Sequence, residues 1–118
     1  MIKLAVPVLH VTNAAAAREF YCGKLGFHLD FAYRSDEGMD DPCYMGLSRD
    51  RGWIHLSSFS GDGERRGGAL FRVDSVDELH AEFVAKGVAI AMEPVDQTWG
   101  TREMYVKDGD GNCLRFQC

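Results

Sequence analysis

The groups in this sequence with the chemistry to bind a metal or move a proton are four histidines, four cysteines and eighteen carboxylates. Their spacing is sparse. Cys22, Cys43, Cys113 and Cys118 form no Cys-x-x-Cys pair, so they read as reduced thiols at core or edge positions rather than as a zinc or redox motif. His28 and His80 read as surface residues. His10 lies in the strand-like run Leu4-Ala5-Val6-Pro7-Val8-Leu9-His10-Val11, where period-two alternation puts positions 6, 8 and 10 on one face. A lone strand histidine is more often a hydrogen-bonded cleft or interface residue than a ligand, because a divalent site needs about three protein donors.

Carboxylates cluster twice. Asp36, Glu37, Asp40 and Asp41 read as a solvated acidic loop that could also rim a cleft and draw in a cation. Asp108-Gly109-Asp110-Gly111-Asn112 has the composition of a calcium loop but is too short and lacks the terminal glutamate, so it reads as a hairpin turn. Aromatic side chains are the better source of binding energy, since each stacked pair adds roughly 0.5 to 1.5 kcal/mol beyond area burial. Phe31, Tyr33, Trp53, Phe59 and Trp99 stand in or beside loops. Trp99 precedes Gly100 in a loop, where a buried packing role is hard to arrange, whereas Trp53 begins a strand and fits packing equally well.

The elements that must position these groups recur in the same order twice. A first strand ends at Val11, and Thr12-Asn13 caps a helix over Ala14–Leu25 that Gly26 stops. Phe27–Arg34 alternates as a strand, and Cys43–Leu47 with Trp53–Phe59 reads as a hairpin. The Gly- and charge-rich run 60–68 is a connection. Ala69–Val73 then opens a second unit, Ser75 with Glu78 makes a capping box, Gly87 ends the helix, and Val88–Met92, Thr101–Lys107 and Cys113–Gln117 follow as strands. Val11 and Val73 are 62 positions apart and Gly26 and Gly87 are 61 apart, which points to internal duplication. The expected fold is α+β, one domain over 1–118 built from two tandem βαβββ modules, about 1–60 and 68–118.

A chain of 118 residues with 46% hydrophobic and 26% charged residues has globular composition. Its formal net charge of -5 supplies no field for phosphate backbones or anionic lipid, so a nucleic-acid or membrane partner is not expected and a cationic one is. No apolar run approaches a membrane span and the N-terminus shows no signal architecture, which makes a cytoplasmic location the default expectation.

Three segments resemble the glyoxalase/bleomycin-resistance/dioxygenase (vicinal oxygen chelate) superfamily: Phe20-Tyr21 running into Leu25-Gly26-Phe27, Phe71-Arg72-Val73-Asp74, and Asp108-x-x-Gly111-Asn112. Within it, the likeness is greatest to the bleomycin-resistance proteins, through Ala5-Val6-Pro7-Val8-Leu9, Asp30-Phe31, Ile54-His55-Leu56-Ser57 and Trp99-Gly100-x-Arg102-Glu103. The resemblance implies a sheet from each module curling into an open cup, completed by a second chain in an arm-exchanged homodimer with Pro7 near the crossing point. Enzymes of the superfamily carry His and Glu metal ligands on the first and last strand of each module. At the matching positions this sequence has Val6, Gly68 and Arg115, leaving His55 alone, with His10 as the one residue that could stand in.

The implied function is therefore sequestration, without catalytic residues, metal or cofactor, of an aromatic, cationic small molecule such as a bleomycin-like glycopeptide antibiotic. The ligand-contacting residues so implied are Trp99, Phe31, Tyr33, His55, Ser57, Arg102 and Arg115. The alternatives are a metal-dependent glyoxalase- or dioxygenase-type enzyme and a domain for another metabolite.

Overall fold

The computed structural model describes all residues, 1–118. The chain runs β1 (Val8–His10), α1 (Ala14–Arg18) continuing as a π-helix over Glu19–Lys24, β2 (His28–Arg34), β3 (Cys43–Arg49), β4 (Gly52–Ser57), β5 (Gly68–Arg72), α2 (Val76–Ala85), β6 (Ile90–Asp96), β7 (Arg102–Lys107) and β8 (Cys113–Gln117). Two four-stranded sheets result, ordered β1-β4-β3-β2 and β5-β8-β7-β6. In each, the first strand lies parallel to the last and the remaining pairs are antiparallel. The expected α+β architecture with an internal repeat is present.

Local chemistry sets the boundaries. Asn13 accepts from the Ala16 amide and Ser75 from the Glu78 amide, capping the two helices, and Gly26 and Gly87 close them at φ +77°. The first helix departs from a uniform α-helix: from Glu19 onward its turns widen, and Phe20, Tyr21 and Leu25 all pack on the core. The first strand is also shorter than Leu4–Val11, because pairing with β4 begins at Val8 and the chain before it forms no strand.

One continuous core of buried side chains joins the two halves. Leu9, Cys43, Met45, Leu47, Ile54 and Leu56 project from the first sheet toward the helix, and Met104, Val106, Leu114 and Phe116 do so from the second. Phe27 meets Phe71 edge-on across the halves at 5.7 Å. A polar clasp completes the joint around the Asp108–Asn112 turn. Asp108 accepts from the Tyr21 hydroxyl at 2.8 Å, from the Asn112 side chain, and from the amides of Asp110 and Asn112. Asn112 donates to the His10 carbonyl and accepts from the Gly67 amide, while Asp110 accepts from the Thr12 amide and hydroxyl. The turn is the β7–β8 hairpin expected from the sequence, and it also fastens the two modules together.

Candidate functional site

Each sheet has one face under its helix and one face free, and alternation assigns the side chains. On the first sheet the free face carries Val8 and His10 of β1, Phe31 and Tyr33 of β2, Tyr44 and Gly46 of β3, and Trp53, His55 and Ser57 of β4. Strict alternation from Phe27 would have put Phe31 and Tyr33 on the same side as buried Phe27. A β-bulge at Asp30 reverses them: Leu29 pairs with Leu47, but Phe31 pairs with Gly46. One extra residue therefore moves two aromatic rings from the core side to the open side.

Gly46 is the seat of Phe31. A Cβ there would fall 2.1 Å from the Phe31 ring, so only glycine lets the ring lie over the sheet. Phe31 stacks against Tyr44 at 6.2 Å and meets the His55 imidazole edge-on at 5.4 Å, and Tyr33 stacks on Phe59 at 6.1 Å. The Tyr44 hydroxyl and His55 Nδ1 share a 2.8 Å hydrogen bond, which fixes both rings. Burial, reinforced by the charge of Asp62, raises the Tyr44 pKa and keeps the phenol protonated. Phe31 remains 47% and Tyr33 60% exposed. The result is an aromatic shelf whose Phe31 and Tyr33 rings stand open.

The free face of the second sheet differs in chemistry. Glu103 and Tyr105 of β7 and Arg115 and Gln117 of β8 stand side by side, with the Arg115 guanidinium 4.6 Å above the Tyr105 ring. Trp99 projects over this face from the turn before β7, 64% exposed, and its Nε1 donates to Glu103 Oε2 at 2.9 Å. The Thr101 hydroxyl donates to the same oxygen at 2.6 Å. Hydrogen bonds from Thr101, Trp99, Gln117 and Tyr105 outweigh desolvation and hold the Glu103 carboxyl below its ordinary pKa.

Among the residues expected to touch a ligand, the structure brings Phe31, Tyr33 and His55 together on one sheet and Trp99 and Arg115 together on the other. Ser57 is fully buried and donates to Asp62 Oδ2, so it shapes the strand end rather than the surface. Arg102 does not join the group. Its side chain lies on the helix side of β7, bonded to Asp77 of α2 and to Asp96. The acidic loop is partly structural, since Asp41 accepts from the Ala14 amide and the Ser58 hydroxyl. His80 is also less free than a surface residue, with its imidazole against Glu93. Sequence reading missed Tyr44, Gly46, Glu103 and Tyr105. The signal available for the first two was the alternation of Cys43-Tyr44-Met45-Gly46-Leu47, which sets aside one face of β3 for them.

The residues present do not assemble a metal site within one chain. No three His, Cys, Asp or Glu side chains converge closely enough to hold an ion. Opposite Val8 in the first sheet stands His55, and the equivalent strand pair in the second sets Leu70 opposite Arg115, a cation where a ligand would have to be. His10 Nδ1 lies 3.0 Å from the Asp62 carbonyl oxygen instead.

A cavity of about 1270 Å³ runs between the halves, lined by Leu4–Pro7, the β3–β4 hairpin, β5 and α2. No helix is long and apolar enough to cross a membrane.

Comparison with known structures places this geometry. The bleomycin-binding protein complexed with bleomycin superposes with a TM-score of 0.78 at 21% identity, covering 98% of each chain. The bleomycin resistance determinant encoded on transposon Tn5 gives 0.79 at 21% identity, covering 98% of this chain and 97% of that one. TioX from Micromonospora sp. ML1 gives 0.78 at 21% identity over 98% of both. No curated protein matches significantly. The family model that matches spans residues 3–116, nearly the whole chain, and the chain belongs to the glyoxalase/bleomycin resistance protein/dioxygenase superfamily.

Proposed function

We propose that this protein is a binding protein that sequesters an aromatic, cationic small molecule, of the kind represented by bleomycin-like glycopeptide antibiotics, without transforming it. The observation that carries this reading is the aromatic shelf of Phe31, Tyr33, Tyr44 and His55, in which Phe31 lies over Gly46 and Phe31 and Tyr33 are left exposed. Planar heteroaromatic groups gain most from such a surface. The net charge of -5 favours a cationic ligand, and two structural neighbours bear bleomycin in their names.

The cleft in this reading forms between two chains. The shelf and the Trp99 face belong to different sheets of one chain, and no hydrogen bond or ring contact joins them. A twofold dimer would set the shelf of one protomer opposite Trp99 and Arg115 of its partner, and two equivalent clefts would result. Phe31, Tyr33, Val8, Leu70, Val95 and Trp99, all exposed in the single chain, supply the apolar area such an interface needs.

Light scattering then reports about twice the chain mass of 13.2 kDa, and calorimetry with bleomycin on metal-free protein shows saturable binding at one site per chain. A monomer at micromolar concentration removes the shared cleft. Bleomycin-independent turnover that tracks one equivalent of bound metal per chain favours an enzyme. A dimer that ignores bleomycin keeps the cleft but assigns it to another metabolite.

A further inference from the structure

Glu103 is 2% exposed, yet it takes part in none of the ion pairs of the chain. Its charge is met only by neutral donors: Trp99 Nε1 at 2.9 Å, the Thr101 hydroxyl at 2.6 Å and Gln117 Nε2 at 3.4 Å on one oxygen, and the Tyr105 hydroxyl at 3.3 Å on the other. Burying an unpaired carboxylate is costly, so a group placed this way is suited to a task that a neutral residue performs less well. The distinguishing property of a carboxylate is that it only accepts. All four donors can point at it, whereas a glutamine would turn its own amide hydrogens against some of them.

The donor with most to gain is the indole. Trp99 sits at the tip of a turn closed by the Gln97 amide on the Thr101 carbonyl and by the Gly100 amide on the Gln97 carbonyl, with Gly100 at φ +98°. That turn fixes the backbone but leaves an exposed ring free about its side-chain torsions. The bond to Glu103 removes that freedom, and charge assistance makes it stronger than a bond to a neutral acceptor. An indole held in place before the ligand arrives loses less entropy when it stacks.

We propose that Glu103 is a positioning residue for ligand binding, a buried anion that pins the otherwise exposed Trp99 indole in its stacking orientation. This rests on the cleft reading above, and its test is arranged so that the two can fail separately.

In the unmodified protein, with the Trp99 indole signal identified by the loss of the other one in Trp53→Phe, the Trp99 Nε1 hydrogen exchanges with water about tenfold or more slowly than in a free indole. Exchange at the free rate overturns the proposal without any change at Glu103. In the Trp53→Phe background, Glu103→Gln lowers the fluorescence anisotropy of Trp99 while the far-ultraviolet circular dichroism stays the same; an unchanged anisotropy in the folded variant overturns it too. With bleomycin as the probe, Glu103→Gln weakens binding about fivefold to tenfold in the natural sequence and by less than twofold in a Trp99→Ala background. Equal losses in both backgrounds mean that Glu103 acts elsewhere, and the positioning role is refuted. If the unmodified protein binds no bleomycin, the cleft reading fails, and the exchange and anisotropy measurements still judge Glu103.

Discussion

The Phe31 ring occupies the space that a side chain at Gly46 would fill, 2.1 Å from where a Cβ would stand. Gly46→Ala must therefore turn Phe31 off the sheet. The displaced atoms are the end of a half-exposed side chain, so the cost to folding stays near 1 kcal/mol. Titration with bleomycin should show a loss of affinity of about tenfold, because the shelf loses the Phe31 ring from its place beside Tyr44. An unchanged affinity in a folded variant would place the ligand elsewhere.

Trp99→Ala should weaken bleomycin binding by about 1 to 3 kcal/mol, the size of a modest hot spot. Trp99→Phe should recover only part of it, since phenylalanine stacks but has no N–H for Glu103. Calorimetry and a melting curve on each variant separate contact from support. Reduced stability with unchanged affinity would make Trp99 a prop for its own loop.

Tyr21→Phe deletes the donor to Asp108 and leaves the carboxylate with its three remaining bonds. Urea denaturation should show a loss of about 1 to 2 kcal/mol. Asp108→Ala should cost more, because it strands the buried Tyr21 hydroxyl, removes one of the Asn112 side-chain bonds and leaves the amides of Asp110 and Asn112 without their acceptor. Burial and the adjacent Asp108 charge raise the Tyr21 pKa, so the hydroxyl remains a donor throughout the accessible pH range.

The Arg49–Glu82 pair joins the β3–β4 hairpin to α2 through two hydrogen bonds of 2.7 and 2.8 Å, and the same guanidinium donates to the Leu25 carbonyl. The bond from Arg49 holds the Glu82 pKa below its ordinary value. A carboxylate lowered in the folded state adds stability above its unfolded pKa, about 4.3, and that stability disappears as pH falls through the lower folded value. Melting temperatures measured from pH 6 down to pH 3 (about the span of that titration) should thus fall less steeply in Arg49→Met than in the natural sequence. Parallel curves would show that this half-exposed pair is screened to insignificance.

Much of this fold is written in patterns that local physics enforces. The caps at Asn13 and Ser75, the left-handed glycines at 26 and 87, and the near-constant offset between the halves are properties of a few neighbouring residues, and they can be read without coordinates. What escapes such reading depends on pairing. The bulge at Asp30 decides whether Phe31 joins the core or the free face, and no local preference announces it because alternation runs unbroken from Phe27. Arg102 shows the same limit from the other side: one step along β7 separates it from Glu103, and that step sends it to Asp77 on the helix. Glu103 itself was visible only as part of a motif, since its worth lies in donors from four places.

The bond from the Asn112 side chain to the His10 carbonyl links residues 102 positions apart. On a ribosome, the first strand emerges early and then has to wait for almost the entire chain before this partner exists. The outer edge of β1 is met within its own half at Glu64, which bridges Leu9, and the carboxyl-terminal turn adds the last fastening to that edge. A chain interrupted before residue 108 would keep that bridge but leave the Tyr21 hydroxyl and the His10 carbonyl without their partners in the turn, polar groups that are then costly to bury.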